Sequence, residues 1–149
     1  MNLRRARPEE AELLTALAIR SKRAWGYGDD FMEKVMPDMI VHRRFLDEEH
    51  GTVAELEGAV LGYAIVKIDG KEALLRDLFV EPEHFRKGIG KSLFEEALRF
   101  ARDRGATRMK LFGDPNAVGF YESLGMQKIG DQPSIVDGGR TLPIMAIEL

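Results

Sequence analysis

Two glycines flanked by basic residues stand where an apolar segment gives way to an amphipathic one. Gly88 and Gly90 lie between a strand-like run, residues 74–80, and a helix-like pattern that begins at once. Free backbone N–H groups and the positive end of a helix dipole would meet there, and such a place binds phosphate. Glycine lets the backbone approach the ligand because no Cβ stands in the way. Positive charge is added by Arg86, Lys87 and Lys91.

Two familiar phosphate-binding patterns fail in this loop by a single residue each. The dinucleotide fingerprint GxGxxG requires a third glycine where Leu93 stands. A Walker A loop requires glycine at the position that holds Phe85. Glycines ahead of a helix also occur where tight packing alone is required. By itself, the loop leaves a phosphate site and a tightly packed helix start equally open.

Length and composition favour one globular domain, and we predict that residues 1–149 form it. The chain has 149 residues, of which 44% are hydrophobic and 32% charged, as in ordinary soluble domains. A net charge of −3 gives no overall attraction to nucleic acid or to anionic membranes. The absence of cysteine excludes disulfides, thiolate metal sites and a cysteine nucleophile, and it suits a reducing cytoplasm. No apolar run reaches the roughly 18 residues of a membrane span, so we expect a cytoplasmic protein without membrane or nucleic-acid partners.

Hydrophobic periodicity predicts an α/β fold of the mixed α+β type. It consists of a mostly antiparallel central sheet of about six to seven strands with helices on both faces. Strands are expected at residues 2–5, 52–56, 59–68, 73–80, 108–112, 126–129 and 142–149. Helices are expected from residue 8, over residues 29–45 with a disturbance at Pro37, and over residues 88–104 and 116–124.

A second motif follows the predicted strand that ends at residue 112, and it contains Asn116, Phe120-Tyr121 and Gly125-Met126. Together with the loop Phe85-Arg86-Lys87-Gly88-Ile89-Gly90, it resembles the GNAT superfamily of acetyl-CoA-dependent N-acyltransferases. The pyrophosphate loop of that family reads Q/R-x-x-G-x-G/A, and its second motif reads roughly N-x-x-A-x-x-F-Y-x-x-x-G-F. The resemblance extends over about residues 2–149. Phe85 stands where Gln or Arg is commoner, and the spacer after Asn116 is shorter than in the family.

The resemblance implies an enzyme that binds acetyl-CoA between its fourth and fifth strands. It would transfer the acetyl group to a primary amine, on a small molecule or a peptide, by direct attack in a ternary complex. The alternative is a non-catalytic acyl-CoA-binding sensor or interaction module on the same fold. A homodimer is one possible assembly, and no metal site is expected. The residues expected to contact the cofactor are Phe79, Val80, Phe85, Arg86, Lys87, Gly88, Ile89, Gly90, Lys91, Ser92 and Asn116.

Acyl transfer to an amine requires a neutral nucleophile and a proton for the departing thiolate. Because a lysine amine has a pKa of roughly 10.4, neutralising it near pH 7 costs about 4–5 kcal/mol. By resemblance, Tyr121 would be the general acid near the CoA sulfur, unless it is only a core aromatic. Asp77 is the candidate base, since an acid within an apolar strand has a raised pKa, unless it pairs with Arg76 or is exposed. Glu72, Glu81 and water are the other candidate bases.

Two further predictions concern groups around the reacting centre. Backbone N–H groups of Phe79 or Val80 would polarise the thioester carbonyl. By resemblance, Asn116 would hydrogen-bond the pantetheine arm, or it caps the helix that follows.

The acceptor pocket is predicted at Trp25, Tyr27 and Phe31, whose rings would suit an apolar or cationic amine. The alternative is a buried corner that ties the helices to the sheet. Arg140 closes a predicted hairpin loop, residues 134–140, and we expect it to face solvent rather than an acceptor carboxylate. Surface positions are also expected for His42, His50 and His84, which have no metal-ligand spacing.

Overall fold

The computed structural model describes residues 1–134 and 140–149 and contains one seven-stranded sheet. Among these strands only β4 and β5 run parallel, so the mixed and mostly antiparallel sheet predicted from the sequence is confirmed. Across the sheet the order is β1-β2-β3-β4-β5-β7-β6. The strands are β1 (Asn2–Arg5), β2 (His50–Leu56), β3 (Ala59–Asp69), β4 (Glu72–Val80), β5 (Arg108–Phe112), β6 (Gln127–Pro133) and β7 (Thr141–Glu148).

The helices differ from the sequence prediction mainly between residues 29 and 45, where one disturbed helix was expected. A 3-10 turn, Met36–Met39, and the extended residue Ile40 (ψ 123°) separate two short helices there. Pro37 lies inside the turn and has no N–H with which to continue a helical ladder. The helices are α1 (Ala11–Arg23), α2 (Asp29–Val35), α3 (Arg43–Glu48), α4 (Ile89–Asp103) and α5 (Val118–Ser123). Among the described residues, no helix is both long and apolar enough to cross a bilayer.

Helices cover both faces of the sheet, as predicted. Because successive side chains of a strand point to opposite faces, β3 contributes to two separate cores. Tyr63 and Ile65 pack with Leu14 of α1. Ala64 packs with Leu93 of α4 on the other face. These two cores fix β3 and β4 between α1 and α4.

The parallel pair β4 and β5 is joined only over three residue pairs, which begin at Glu72–Arg108 and end at Leu74–Lys110. Beyond Leu74, β4 pairs with β3 alone, while β5 pairs with β7 up to Phe112. The two strands therefore separate toward their carboxyl ends. We call the opening between residues 75–80 of β4 and residues 111–112 of β5 the β4–β5 wedge.

A β-bulge in β4 coincides with the start of this wedge. Ile65 pairs with Asp77 and Val66 with Leu75, so Arg76 is the extra residue in the ladder. A bulge bends its strand and increases the local twist, which agrees with the divergence of β4 from β5. Directly opposed residues of an antiparallel pair share a face of the sheet. Asp77 therefore lies on the α1 face, with Ile65.

Candidate functional site

The loop after β4 presents a row of unpaired backbone N–H groups. Gly88 has φ +83° and Arg86 has φ +64°, so both adopt the left-handed conformation. Residues 86–91 find no partner for their N–H groups within the described part of the chain. The first bond into α4 runs from Ser92 N–H to the Gly88 oxygen, at 3.0 Å. Successive free N–H groups at a helix N-terminus form an anion-binding concavity. The N–H of Ser92 does not belong to this concavity, because it is already bonded to Gly88.

The side chains of the loop add positive charge but form few contacts with the rest of the protein. Arg86, Lys87 and Lys91 are exposed. Lys87 Nζ lies 3.5 Å from His84 Nδ1, and neither Arg86 nor Lys91 forms an ion pair with any described residue. Phe85 is turned toward Trp25, with 6.4 Å between the ring centroids. The loop therefore offers an anion its backbone N–H groups and three exposed cations rather than the side chain at position 85.

Only one of the two predicted backbone donors points into the β4–β5 wedge. Glu81 N–H donates to the Leu61 oxygen at 2.8 Å. Because hydrogen-bonded pairs alternate along an antiparallel ladder, Phe79 likewise directs its N–H toward β3. The prediction for Phe79 as a wedge donor is therefore wrong. Val80 directs its N–H away from β3, toward the wedge.

Asp77 is held by a phenol rather than by a cation. Its carboxylate accepts a hydrogen bond from Tyr63 Oη at 3.0 Å. Burial raises the pKa of Asp77 to about 6, although the Tyr63 hydrogen bond and the charge of Arg76 act in the opposite direction. Arg76 itself pairs with Glu49 at 2.9 Å, so the predicted alternative of an Arg76–Asp77 pair is not formed. Asp77 is a carboxyl that titrates close to neutral pH, as a general base requires.

The two other candidate carboxylates are committed to ion pairs. Glu72 lies 2.8 Å from Lys110 Nζ, and this partner lowers its pKa. Glu81 accepts two hydrogen bonds from Arg20, at 2.9 and 3.0 Å. Its lowered pKa makes Glu72 a weak base, and the Glu81 carboxylate is already held by Arg20. Asp77 is consequently the best placed of the three.

Tyr121 lies on α5 and is buried beside Phe120, with 5.1 Å between the ring centroids. Burial raises the pKa of its hydroxyl, and the charges of Asp77 and Asp114 raise it further. The phenol therefore stays protonated at neutral pH and lies within electrostatic reach of both carboxylates. None of the described residues forms a hydrogen bond with this hydroxyl. The ring is packed as a core aromatic, while its hydroxyl is left with a proton to donate.

Asp114, just beyond β5, gathers side chains from distant parts of the chain. Lys22 Nζ lies at 2.7 Å, Tyr27 Oη at 2.9 Å and Arg140 Nη2 at 3.1 Å from its oxygens. Burial acts to raise the pKa of Asp114, but Lys22 and the other donors outweigh it and hold the pKa below its usual value. Sequence analysis gave Asp114 and Lys22 no role because 92 positions separate them. No local pattern signals such a pairing.

Two sequence predictions about this cluster require correction. Asn116 does not cap the helix: Asp114 accepts the Asn116 N–H at 2.8 Å, and Asn116 Nδ2 donates to Tyr27 Oη at 3.0 Å. Arg140 does not face solvent, since only 16% of its side chain is exposed and its Nη2 donates to Tyr27 Oη at 2.7 Å. The rest of the predicted hairpin loop, residues 135–139, lies outside the described residues.

The three aromatic residues predicted to form one acceptor pocket lie in two separate places. Tyr27 and Phe31 stack with 4.2 Å between centroids, whereas Trp25 is 45% exposed and lies by Phe85 instead. Lys22 Nζ lies 5.4 Å from the Tyr27 ring centroid, and Arg140 Cζ lies 4.7 Å from that of Phe31. The stacked rings therefore already hold cations of the chain itself. A cationic acceptor at this pair would stand beside two positive charges of the chain itself, Lys22 and Arg140.

Comparison with known proteins agrees with this geometry. A model described as the Acetyltransferase (GNAT) family matches residues 15–126. N-acetyltransferase 8 of Homo sapiens is 33% identical over 130 residues, which cover 79% of this chain and 56% of that protein. The chain thus spans little more than half the length of this relative.

Two solved structures share the fold. A GCN5-related N-acetyltransferase from Rhodopseudomonas palustris has a TM-score of 0.86 at 22% identity, covering 99% of this chain and 95% of its own. PaiA N-acetyltransferase from Thermoplasma acidophilum, solved in complex with coenzyme A, has a TM-score of 0.79 at 24% identity. That match covers 99% of this chain and 98% of the other. Among the described residues, no group of three or more His, Asp or Glu is arranged to hold a metal ion.

Replacement of Gly88 by valine tests the loop, and Gly105→Val is its matched control. Both glycines have nearly the same backbone conformation, φ +83° and +85°, and a Cβ at either meets no atom within 4 Å. Each variant therefore carries a similar backbone strain, at least about 1–2 kcal/mol. We expect Gly88→Val to lose coenzyme A binding in calorimetry, because its side chain stands where a phosphate approaches, while Gly105→Val retains it. Equal affinities in the two variants would contradict the assignment of the loop.

Proposed function

Since the chain belongs to the acetyltransferase (GNAT) family, we propose that it transfers the acetyl group of acetyl-CoA to a primary amine by direct attack in a ternary complex. The observation that carries the proposal is that a near-neutral carboxyl, Asp77, lies within electrostatic reach of a protonated phenol, Tyr121. The absence of cysteine supports direct transfer, since no thiol can hold an acyl-enzyme. A module that only bound acyl-CoA would have no use for this pair.

The donor would be held by backbone groups. Residues 86–91 offer their N–H groups to the pyrophosphate, and Arg86, Lys87 and Lys91 add charge around it. The N–H of Val80 is directed into the wedge, where it can donate to the thioester carbonyl and stabilise charge that develops on its oxygen. Asn116 Nδ2 donates to Tyr27 Oη, so this donor is not available to the pantetheine arm.

Proton transfer would begin at Asp77. Its carboxylate takes a proton from the acceptor ammonium, directly or through a water, and the neutral nitrogen forms a bond to the acetyl carbon. A base with a pKa of about 6 remains ionised at pH 7 and above. It is still more basic than an ordinary aspartate, whose pKa is roughly 3.9. Tyr63 holds the carboxylate in place through the hydrogen bond from its hydroxyl.

As the carbon–sulfur bond breaks, Tyr121 Oη would give its proton to the sulfur, and the nitrogen of the new amide would lose its second proton to the phenolate so formed, directly or through water. A phenol of raised pKa is a poor acid toward a thiolate in water, since a thiol has a pKa of roughly 8.5. Burial disfavours both anions, however, so a thiolate that departs beside Tyr121 also gains basicity. The desolvation that raises the pKa of Tyr121 therefore also raises the pKa of the departing thiol. The pKa values of the proton donor and the proton acceptor thus stay close to each other.

The surroundings of Asp114 suggest the kind of amine. Lys22 and Arg140 bring two positive charges to one carboxylate, an excess of one positive charge in a largely buried cluster. The stacked rings of Tyr27 and Phe31 are already occupied by these cations. An acceptor that carries a carboxylate or another anionic group near its amine fits this cluster better than an additional cation. A small molecule and a peptide can both meet that requirement.

Four features of the proposal rest on the sequence alone. Cytoplasmic location is proposed from the absence of cysteine and from the need for acetyl-CoA. A single domain over residues 1–149 and assembly as a homodimer stay predictions. The absence of a nucleic-acid partner is proposed from the net charge of −3.

An amine panel tests both the activity and the acceptor class. Thiol release from acetyl-CoA is measured with pairs of amines that differ only by a carboxylate or its amide, such as β-alanine and 3-aminopropanamide. We expect the ratio of kcat/KM, acid over amide, to fall by about tenfold or more in Arg140→Gln, as loss of a charge-assisted contact predicts. Comparing ratios between enzymes cancels the intrinsic reactivity of each amine. Thiol release with none of the amines would contradict the proposed activity, and an unchanged ratio would contradict the acceptor class.

Tyr121→Phe tests the general acid. The change keeps the buried ring but removes the donor, so kcat should fall by about 10²–10⁴, with little change in acetyl-CoA affinity. Tyr27→Phe is the matched control, because it removes another tyrosine hydroxyl next to Asp114 but not the one assigned to the sulfur. A Tyr121→Phe enzyme with near wild-type kcat would show that the residue only packs.

The pH dependence tests the base. Because Asp77 must be ionised, kcat/KM should fall below about pH 6, the pKa to which burial raises this carboxyl. In Asp77→Asn this acidic limb should disappear, with a rate loss of about 10²–10⁴. In Tyr63→Phe the carboxylate loses a hydrogen bond that lowers its pKa, so the limb should move to higher pH. A limb that stays in place in Tyr63→Phe, or survives in Asp77→Asn, would assign the ionisation to another group.

A further inference from the structure

A second concave surface lies where β3 extends past the beginning of β2. The last pair of these strands joins His50 to Val66, so β3 has no neighbour on that side at Lys67 and Ile68. The notch beside this free edge has a volume of about 550 Å³. We call it the β3-edge notch. It shares no residue with the phosphate-binding loop and does not include Tyr121.

The notch is strongly cationic in a chain whose net charge is −3. Only two carboxylates, Glu48 and Glu49, line it, so its walls carry an excess of three positive charges. Glu49 is already paired with one of the cations, Arg76. The five cations that line it are Arg5, Arg44, Lys67, Arg76 and Arg104. Like charges held this close repel one another unless an anion lies between them.

Aromatic rings hold the arginines on both walls. Arg76 Cζ lies 4.1 Å from the Phe45 ring centroid, and Arg104 Cζ lies 4.6 Å from that of Phe100. A guanidinium stacked on a ring keeps its N–H edge free for a carboxylate or phosphate. Within the described part of the chain, neither Arg44 nor Arg104 forms an ion pair. The guanidinium N–H groups of these two arginines are therefore held in place without a carboxylate partner among the described residues.

His50 provides an independent sign of a missing partner. Its ring stacks on Phe100 with 3.7 Å between centroids, and both ring nitrogens are buried without a hydrogen-bond partner. The prediction of an ordinary surface position for His50 is therefore wrong. A buried donor left unpaired costs about 1–3 kcal/mol. His50 forms part of the notch wall, but the chain covers both of its nitrogens, so an anionic oxygen reaches its N–H only once the wall adjusts.

We propose that the β3-edge notch binds a small organic polyanion, with carboxylate or phosphate groups between Arg44 and Arg104. The volume exceeds what a single inorganic ion fills and lies within the usual range of small-ligand sites. Arg44 comes from α3 and Arg104 from the end of α4, so an occupant bridges elements on opposite faces of the sheet. The site is separate from the one proposed for acetyl-CoA.

Calorimetry with two probes tests this site. Citrate supplies carboxylates and pyrophosphate supplies phosphates, and each is titrated into protein saturated with coenzyme A at constant ionic strength. We expect one equivalent of probe to bind, with affinity reduced about tenfold or more in Arg44→Gln and in Arg104→Gln. The probe that binds more tightly identifies the anionic group that the notch prefers.

Arg102→Gln is the matched control, because Arg102 lies in the last turn of α4 and is exposed, but does not line the notch. It removes the same charge from the same helix and should leave probe affinity unchanged. Gly88→Val should also retain the probe, since the phosphate-binding loop is not involved. The proposal is overturned if neither probe binds at millimolar concentration, or if Arg102→Gln loses as much affinity as Arg104→Gln.

Discussion

The early end of pairing between β4 and β5 is the constraint on which the site depends. A parallel pair that continued beyond Leu74 would satisfy the N–H of Val80 in the ladder and fill the β4–β5 wedge with backbone. The bulge at Arg76 bends β4 at the point where pairing stops. One irregularity of the ladder thus opens a binding cleft, exposes a backbone donor and places Asp77 on the α1 face beside Tyr63.

The electrostatics of Asp77 depend on where Arg76 is directed. If Arg76 paired with its neighbour, the carboxylate would be stabilised as the anion and would make a poor base near neutral pH. Glu49 instead binds Arg76, and Asp77 retains one phenolic hydrogen bond. That single bond satisfies part of the buried carboxyl without reversing the effect of burial on its pKa. If Asp77 is the base, as proposed, Glu49 supports it by binding Arg76, although Glu49 lies outside the wedge.

Features encoded by consecutive residues were predictable, and features built by distant residues were not. The two glycines of the loop and the strand that precedes it are local patterns, and the predicted strand at residues 108–112 agrees with the structure. The bulge at Arg76 has no sequence signature, since it depends on the register with β3. Arg140 was expected in solvent because its loop is polar, yet its partner Tyr27 is 113 positions away. The break at Ile40 follows the turn that contains Pro37, so the sequence indicated a disturbance there but not two separate helices.

The donor loop was predictable from the sequence and the acceptor cluster was not, because the two substrates would be recognised in different ways. In the proposed function the donor would be met mainly by backbone N–H groups, whose positions follow from the loop and the helix start and do not require a polar residue in place of Phe85. The acceptor would be met by side chains, and Lys22, Asp114 and Arg140 come from three separate segments. Because each of these segments can change without disturbing the loop, acceptor preference can diverge within a family while donor binding persists. Membership of the family therefore indicates the donor, whereas the acceptor has to be argued from the cluster around Asp114.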